Sequence, residues 1–124
     1  MSTWSPWATG VSQHLFSLAS PPSAMFAMDD TMAIGALGAA VDSGWSVPGQ
    51  LSIVGFDDVD VGAYIRPALT TVRQPMEQIG RQAVDLLLQM IRGELASDPW
   101  PRLCLDPELV IRDSTGPAQG GTYT

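Results

Sequence analysis

The sequence contains no lysine, so all six of its basic residues are arginines, and these are scattered along the chain. Thirteen acidic residues bring the formal net charge to -7. A protein that binds nucleic acid needs clustered cations, because they displace counterions from the phosphates. The chain is therefore not expected to bind DNA unaided.

Cysteine and histidine are almost as scarce. Cys104 is the only cysteine, which excludes a disulfide framework and a cysteine-based zinc cluster. His14 is the only histidine, stands alone on a predicted helix and is interpreted as a solvated surface residue. The Gly-x-Ser-x-Gly motif of many serine hydrolases does not occur. We expect no catalytic residue, no bound metal and no cofactor.

Targeting signals are not found either. The first ten residues have neither a basic region nor a continuous apolar core, unlike a signal peptide, and no apolar run is long enough to cross a membrane. We therefore expect a cytoplasmic protein. The hydrophobic fraction of 45% is sufficient for a packed core. A length of 124 residues corresponds to one domain or a piece of one.

Hydrophobic periodicity predicts that helices alternate with short strands. Such alternation requires parallel strand pairing with helical crossovers, so the predicted fold class is α/β with a partial doubly wound parallel sheet. Residues 59–68 are predicted to form a loop with one helical turn. The predicted elements are helix 5–19, strand 24–28, helix 31–42, strand 51–56, strand 70–73, helix 77–92, and strands 102–105 and 108–113.

Paired aspartates follow two of the predicted strands: Asp29 with Asp30, and Asp57 with Asp58. Open parallel sheets bind their ligands outside the carboxyl ends of the strands, so these pairs mark the candidate site. Phosphoryl-accepting receiver domains also place acidic residues at strand ends, where they bind Mg²⁺. Those domains need a lysine beside the phosphorylated carboxylate, and the chain has none.

Several blocks of the sequence, in order and at plausible spacing, resemble LacI/GalR transcription regulators. Residues 24–37 are similar to that family's Ala-x-x-x-x-Asn-Asp-x-x-Ala-x-Gly-Ala segment. The closing block resembles Pro-x-Leu-Val-x-Arg-x-Ser-Thr. Between them, Gly-x-x-x-Pro and Ser-Val-x-Gly-Phe-Asp-Asp have counterparts. The matching blocks are 24–37, 44–48, 51–58, 67–75, Gly80 with Ala83 and Leu87, and 107–115.

The resemblance implies a periplasmic-binding-protein-like (type I) core of two α/β subdomains, with a small effector held between them. It covers the C-terminal subdomain without its opening strand and helix. We interpret residues 1–115 as a partial effector-binding and dimerisation domain, and residues 116–124 as a disordered tail. Loss of the opening strand predicts an unpaired sheet edge at 24–28 or 51–56.

The resemblance also implies partners. The intact protein is expected to be a homodimer that binds a sugar or polyol-like effector. It would contact operator DNA only through an N-terminal helix-turn-helix head, which this chain lacks, so we expect a truncated product that does not regulate by itself. The alternative is one lobe of a periplasmic sugar-binding transport protein, which would need an export signal and a second lobe.

Three candidate ligand-binding residues follow from the resemblance: Asp57, Asp29 and Trp4. The aspartate that matches Asp57 accepts hydrogen bonds from effector hydroxyls, although Asp57 could instead cap the short helix near Asp60. Asp29 stands where many family members have asparagine, and its neighbour Asp30 is interpreted as the helix cap. Asp58 is interpreted as a turn residue.

Trp4 lies in a Trp-Ser segment similar to one that lines the effector site in the family. Its indole would stack on the apolar face of a sugar ring. The glycine of that segment falls one residue late in this chain, at Gly10, so the assignment to Trp4 rather than Trp7 stays open.

Overall fold

The computed structural model describes residues 6–95, 99 and 101–118, and side chains from residue 10 onward. Helices and short strands alternate, as the hydrophobic pattern predicts. The elements are α1 (Pro6–Phe16), β1 (Ala24–Phe26), α2 (Asp30–Asp42), β2 (Ser52–Phe56), α3 (Val61–Tyr64), β3 (Thr70–Arg73), α4 (Met76–Ile91) and β4 (Glu108–Val110).

The strands form one sheet in the order β1-β2-β3-β4. β1 pairs with β2 in parallel, with Met25 opposite Ile53, and β2 pairs with β3 in parallel, with Gly55 opposite Thr71. The predicted α/β class is confirmed. β1 lies at the edge of the described sheet and β2 in its interior. The sequence predicted an unpaired sheet edge at 24–28 or at 51–56. Among the described strands only the first of these segments lies at an edge, because β1 pairs with β2 on one side only.

Two compact units make up the chain. The first contains the described residues up to Arg73 and from Leu109 onward, and the second those from Gln74 to Glu108. The core of the first unit lies between α2 and the sheet. Small side chains such as Ala33 and Ala36 let α2 approach the strands closely, so that Leu51, Ile53 and Leu69 are fully buried.

Both ends of α2 are well defined. The Asp29 carboxylate accepts a hydrogen bond from the Met32 N–H at 2.7 Å, as an N-cap does. After the last turn, Gly44 adopts a φ of 76°, a left-handed conformation that glycine tolerates best. The Trp45 ring that follows stacks on Phe16 of α1 with 5.0 Å between ring centroids. This contact attaches α1 to the end of α2.

In the second unit, α4 has no buried residue although its sequence is amphipathic. Leu87 is 55% exposed and Ile91 72% exposed. Much of the apolar face of α4 is therefore exposed, although Leu86 is half-buried and lines a pocket together with Leu103 and Leu105. No helix among the described residues is both long and apolar enough to span a membrane.

Two strand predictions near the end of the chain need correction. Residues 102–105 form no strand, and the predicted strand 108–113 is only Glu108–Val110. Leu103 is 53% exposed, so the apolar residues of this segment do not indicate a buried strand. At the start of the predicted tail, the Gly116 N–H donates to the Ser52 hydroxyl at 3.2 Å. Residues 119–124 of that tail lie outside the described residues.

Candidate functional site

Both aspartate pairs lie after strands of the sheet, at its carboxyl edge. Asp30 connects them through hydrogen bonds to Val59 and Thr71. Its side chain is fully buried. One carboxylate oxygen, Oδ2, accepts the Val59 N–H at 2.8 Å, and the other, Oδ1, accepts the Thr71 hydroxyl at 2.6 Å. Asp30 therefore connects the start of α2 to the loop after β2 and to β3.

This arrangement corrects the interpretation of Asp30 as the helix cap. α2 begins at Asp30, and Asp29 precedes it in an extended conformation, with φ -148° and ψ 166°. An extended residue just before the first helical turn is the one whose side chain reaches back to free N–H groups. The cap is therefore Asp29, which leaves the Asp30 carboxylate for the contacts with β3 and the loop.

Asp57 is exposed and immediately follows β2. Its N–H donates to the Val72 carbonyl at 2.9 Å. Its φ is 104°, and that of Asp58 is 56°. Non-glycine residues rarely adopt positive φ, and such backbone strain persists only where surrounding contacts maintain it. The position that the sequence singled out for ligand binding thus has a strained backbone. The N-cap position of α3 belongs to Asp60.

Asp58 is held by two arginines. Arg112 Nη2 donates to Oδ1 and Arg73 Nε donates to Oδ2, both at 2.6 Å. Only 10% of the Asp58 side chain is exposed. The Asp58 N–H lies 3.3 Å from the Thr71 hydroxyl oxygen, which accepts it. The sequence suggested only a turn residue at this position. In the structure Asp58 lies in the loop after β2, and its carboxylate is the centre of an ion-pair network that sequence reasoning missed.

The network determines the charge state of Asp58. Burial raises the pKa of this carboxyl group, but hydrogen bonds from Arg112 and Arg73, and their positive charges, outweigh burial and lower the pKa below its ordinary value. A carboxylate with a lowered pKa in the folded state stabilises the fold above its unfolded pKa. That contribution is lost as pH falls through the folded pKa.

We therefore expect the free energy of unfolding to fall on acidification below about pH 4, with part of the decline due to Asp58. Asp58→Asn should reduce that part, because the amide does not titrate. Urea unfolding of both proteins, from neutral pH downward, measures the difference. If wild type and variant lose stability with the same acid slope, Asp58 does not contribute to the decline.

The third candidate, Trp4, lies outside the described residues, and the side chain of Trp7 is not described either. The ligand-binding role of Trp4 therefore stays a prediction. Trp45, by contrast, is in contact with the core through Phe16. No group of three potential metal ligands occurs among the residues that the structure describes. The described part of the candidate site thus consists of Asp57 and Asp29, with Asp30 and Asp58 as supports.

The amino-acid sequence of the chain matches a known domain family and several known proteins. The model of the periplasmic binding protein-like domain matches residues 2–115. The HTH-type transcriptional repressor CytR of Escherichia coli K12 is 46% identical over 103 residues, which are 83% of this chain and 30% of CytR. The chain thus spans about a third of the length of the curated relatives it matches.

Solved structures of similar fold include two regulators. A LacI family transcriptional regulator from Enterococcus faecium with bound ribose is 30% identical, with a TM-score of 0.74 over 90% of this chain and 40% of that one. The lac repressor dimer bound to operator and an anti-inducer is 31% identical, with a TM-score of 0.77 over 87% of this chain and 37% of that one.

Proposed function

The chain belongs to the periplasmic binding protein-like domain family, in the form found in LacI/GalR transcription regulators, and we propose that it senses a small sugar-like effector within a longer regulator. Effector binding would change the affinity of that regulator for its operator. The E. faecium relative with bound ribose supports a sugar or polyol as the effector class. CytR and the lac repressor are transcription regulators, so the transport-lobe alternative is not favoured.

One observation carries the proposal for this chain: Asp57 is an exposed aspartate at the carboxyl end of β2, on a strained backbone. A carboxylate accepts hydrogen bonds from sugar hydroxyls and donates none when ionised. Asp29 has a secondary role in this proposal, because its Oδ1 already caps α2. Trp4 would add an apolar stacking surface for the sugar ring.

Regulation requires that the effector bind two arrangements of the protein with different affinity. We assign those arrangements to a homodimer of the intact regulator, since symmetric pairing is the usual assembly of such proteins, and the lac repressor relative is a dimer. DNA contact is assigned to a helix-turn-helix head and not to this acidic chain. The proposed location of the regulator is the cytoplasm, with operator DNA, and no catalytic step is assigned to it.

Asp57→Ala in the intact regulator should weaken effector binding by roughly tenfold or more, because a hydrogen bond to a charged acceptor contributes about 1.5–3 kcal/mol. Titration calorimetry measures this with a panel of aldoses and alditols, ribose first. The tightest binder of the panel serves as the reference sugar. Asp57→Gly removes the same carboxylate but tolerates the positive φ, so an equal loss in both variants assigns the effect to the carboxylate.

Asp60→Ala is the matched control, since Asp60 is an exposed aspartate of the same loop and its side chain makes no capping bond. It should bind the reference sugar as wild type does. Unchanged affinity in both Asp57 variants would exclude Asp57 from the effector site.

A further inference from the structure

We propose that Asp30 is a positioning residue for the effector site, because its buried carboxylate holds the Asp57 loop in the conformation that binds ligand. The inference rests on the proposed function of Asp57. It concerns a residue that makes no contact with the effector and acts through the loop.

Two hydrogen bonds connect the Asp30 side chain to this loop, one directly and one through Thr71. Asp30 Oδ2 accepts the N–H of Val59, two residues after Asp57. Asp30 Oδ1 accepts the hydroxyl of Thr71, and the same hydroxyl oxygen accepts the N–H of Asp58. The backbones of both residues that follow Asp57 are therefore bound to Asp30, one directly and one through Thr71.

The burial of Asp30 indicates that these bonds are needed. A fully buried carboxylate is costly unless its oxygens have donors, and here each oxygen has one. The arginines of the neighbourhood pair with Asp58 and not with Asp30. Helix capping does not explain the carboxylate either, because Asp29 already performs it.

Because its backbone is strained, the loop keeps its conformation only while the hydrogen bonds to Asp30 and Thr71 are present. Asp57 and Asp58 both have positive φ, and such residues return to ordinary conformations when the contacts that hold them are lost. Loss of the Asp30 bond to Val59 would release the chain directly after these two residues. The Asp57 carboxylate would then move from its binding position while its chemistry stayed the same.

Amide hydrogen exchange in the 124-residue chain tests, without any ligand, whether Asp30 holds the loop in place. Asp30→Asn and Thr71→Val should each raise the exchange rate at Val59 about tenfold relative to that of Leu37, which is buried within α2. Thr71→Ser keeps the hydroxyl and should retain the wild-type ratio.

Ser114→Ala is the control for general destabilisation. Ser114 is fully buried and bonds to the Thr70 N–H and the Ile53 carbonyl, which are not part of the loop. It should lower the stability without changing the ratio of Val59 to Leu37 exchange. The inference is overturned if Asp30→Asn and Thr71→Val leave that ratio unchanged, or if Ser114→Ala changes it equally.

Calorimetry with the reference sugar tests the functional half in the intact regulator. Asp30→Asn should weaken binding about tenfold at temperatures where the variant is fully folded, and should add no further loss in the Asp57→Gly background. A purely structural residue would lower the melting temperature and leave the affinity of the folded protein unchanged, as Ser114→Ala should.

The two proposals fail in different ways. If Asp57→Gly leaves the affinity unchanged, the function proposed for Asp57 fails, and the positioning role fails with it. If Asp57→Gly weakens binding but Asp30→Asn has the same affinity as Ser114→Ala, only the positioning role is overturned. Equal additional loss from Asp30→Asn with and without Asp57 also overturns it, because Asp30 would then act by another route.

Discussion

Gly55→Ala adds a single methyl group and is expected to destabilise the protein by about 3 kcal/mol or more. Gly55 lies in the interior strand β2, opposite Thr71. A Cβ atom there would overlap with the Asp30 Oδ1 atom and approach the Ala33 Cβ and a Leu69 methyl carbon to 3.1 Å each. The methyl group has no free space, because these neighbours are buried.

The cost of Gly55→Ala has two parts. Overpacking a buried site costs about 1–3 kcal/mol. Displacing the Asp30 carboxylate would also break its hydrogen bonds to Thr71 and Val59, and bonds to a charged group contribute about 1.5–3 kcal/mol. Urea unfolding of the purified chain measures the sum.

Gly38→Ala is the matched control. Gly38 lies within α2, and a Cβ atom there would meet nothing within 4 Å. Since alanine is favoured over glycine in a helix by about 0.5–1 kcal/mol, this variant should be as stable as wild type or more so. A loss of less than about 1 kcal/mol for Gly55→Ala would show that the Asp30 carboxylate moves aside freely.

Arg112→Met is expected to destabilise the protein by about 3 kcal/mol, because it removes one partner of a largely buried ion pair. Arg112 Nη2 donates to Asp58 and Nη1 donates to the Leu69 carbonyl at 2.8 Å. The arginine side chain is 18% exposed and that of Asp58 10% exposed. Methionine fills similar space but leaves both oxygens without this donor. Denaturant unfolding at neutral pH measures the loss.

Arg81→Met tests whether burial causes that loss. Arg81 Nη2 lies 2.6 Å from Glu77 Oε1, the same separation as in the Arg112–Asp58 pair, but the side chains are 71% and 87% exposed. An exposed helix pair of this spacing contributes about 0.3–0.5 kcal/mol. If both arginine variants lost the same stability, burial would not be the reason for the Arg112 effect.

The local pattern was sufficient to predict where α2 lies and that two aspartate pairs follow β1 and β2. Alternating helices and short apolar runs favour parallel pairing, and the carboxyl ends of parallel strands share one edge of the sheet. The location of the candidate site therefore follows from the order of the elements alone. The resemblance of blocks such as 51–58 to LacI/GalR regulators added the family and the ligand class.

The segment 102–105 shows where the local pattern misleads. Its leucines resemble a buried strand, yet Leu103 is half exposed and no strand forms. A short apolar run becomes a strand only when a neighbouring strand supplies hydrogen bonds along it. Nothing within four residues determines whether such a neighbour is present.

The sequence by itself determined which residues stand at the strand ends, but only the tertiary structure decided what each aspartate does. Asp29 and Asp30 are locally equivalent as caps, and Asp30 becomes the buried link only because Val59 and Thr71, 29 and 41 residues away, reach its oxygens. Asp58 likewise becomes an ion-pair centre through Arg112, 54 residues away. Hydrogen bonds and ion pairs depend on distances in space, and folding sets those distances between residues that the chain order keeps apart.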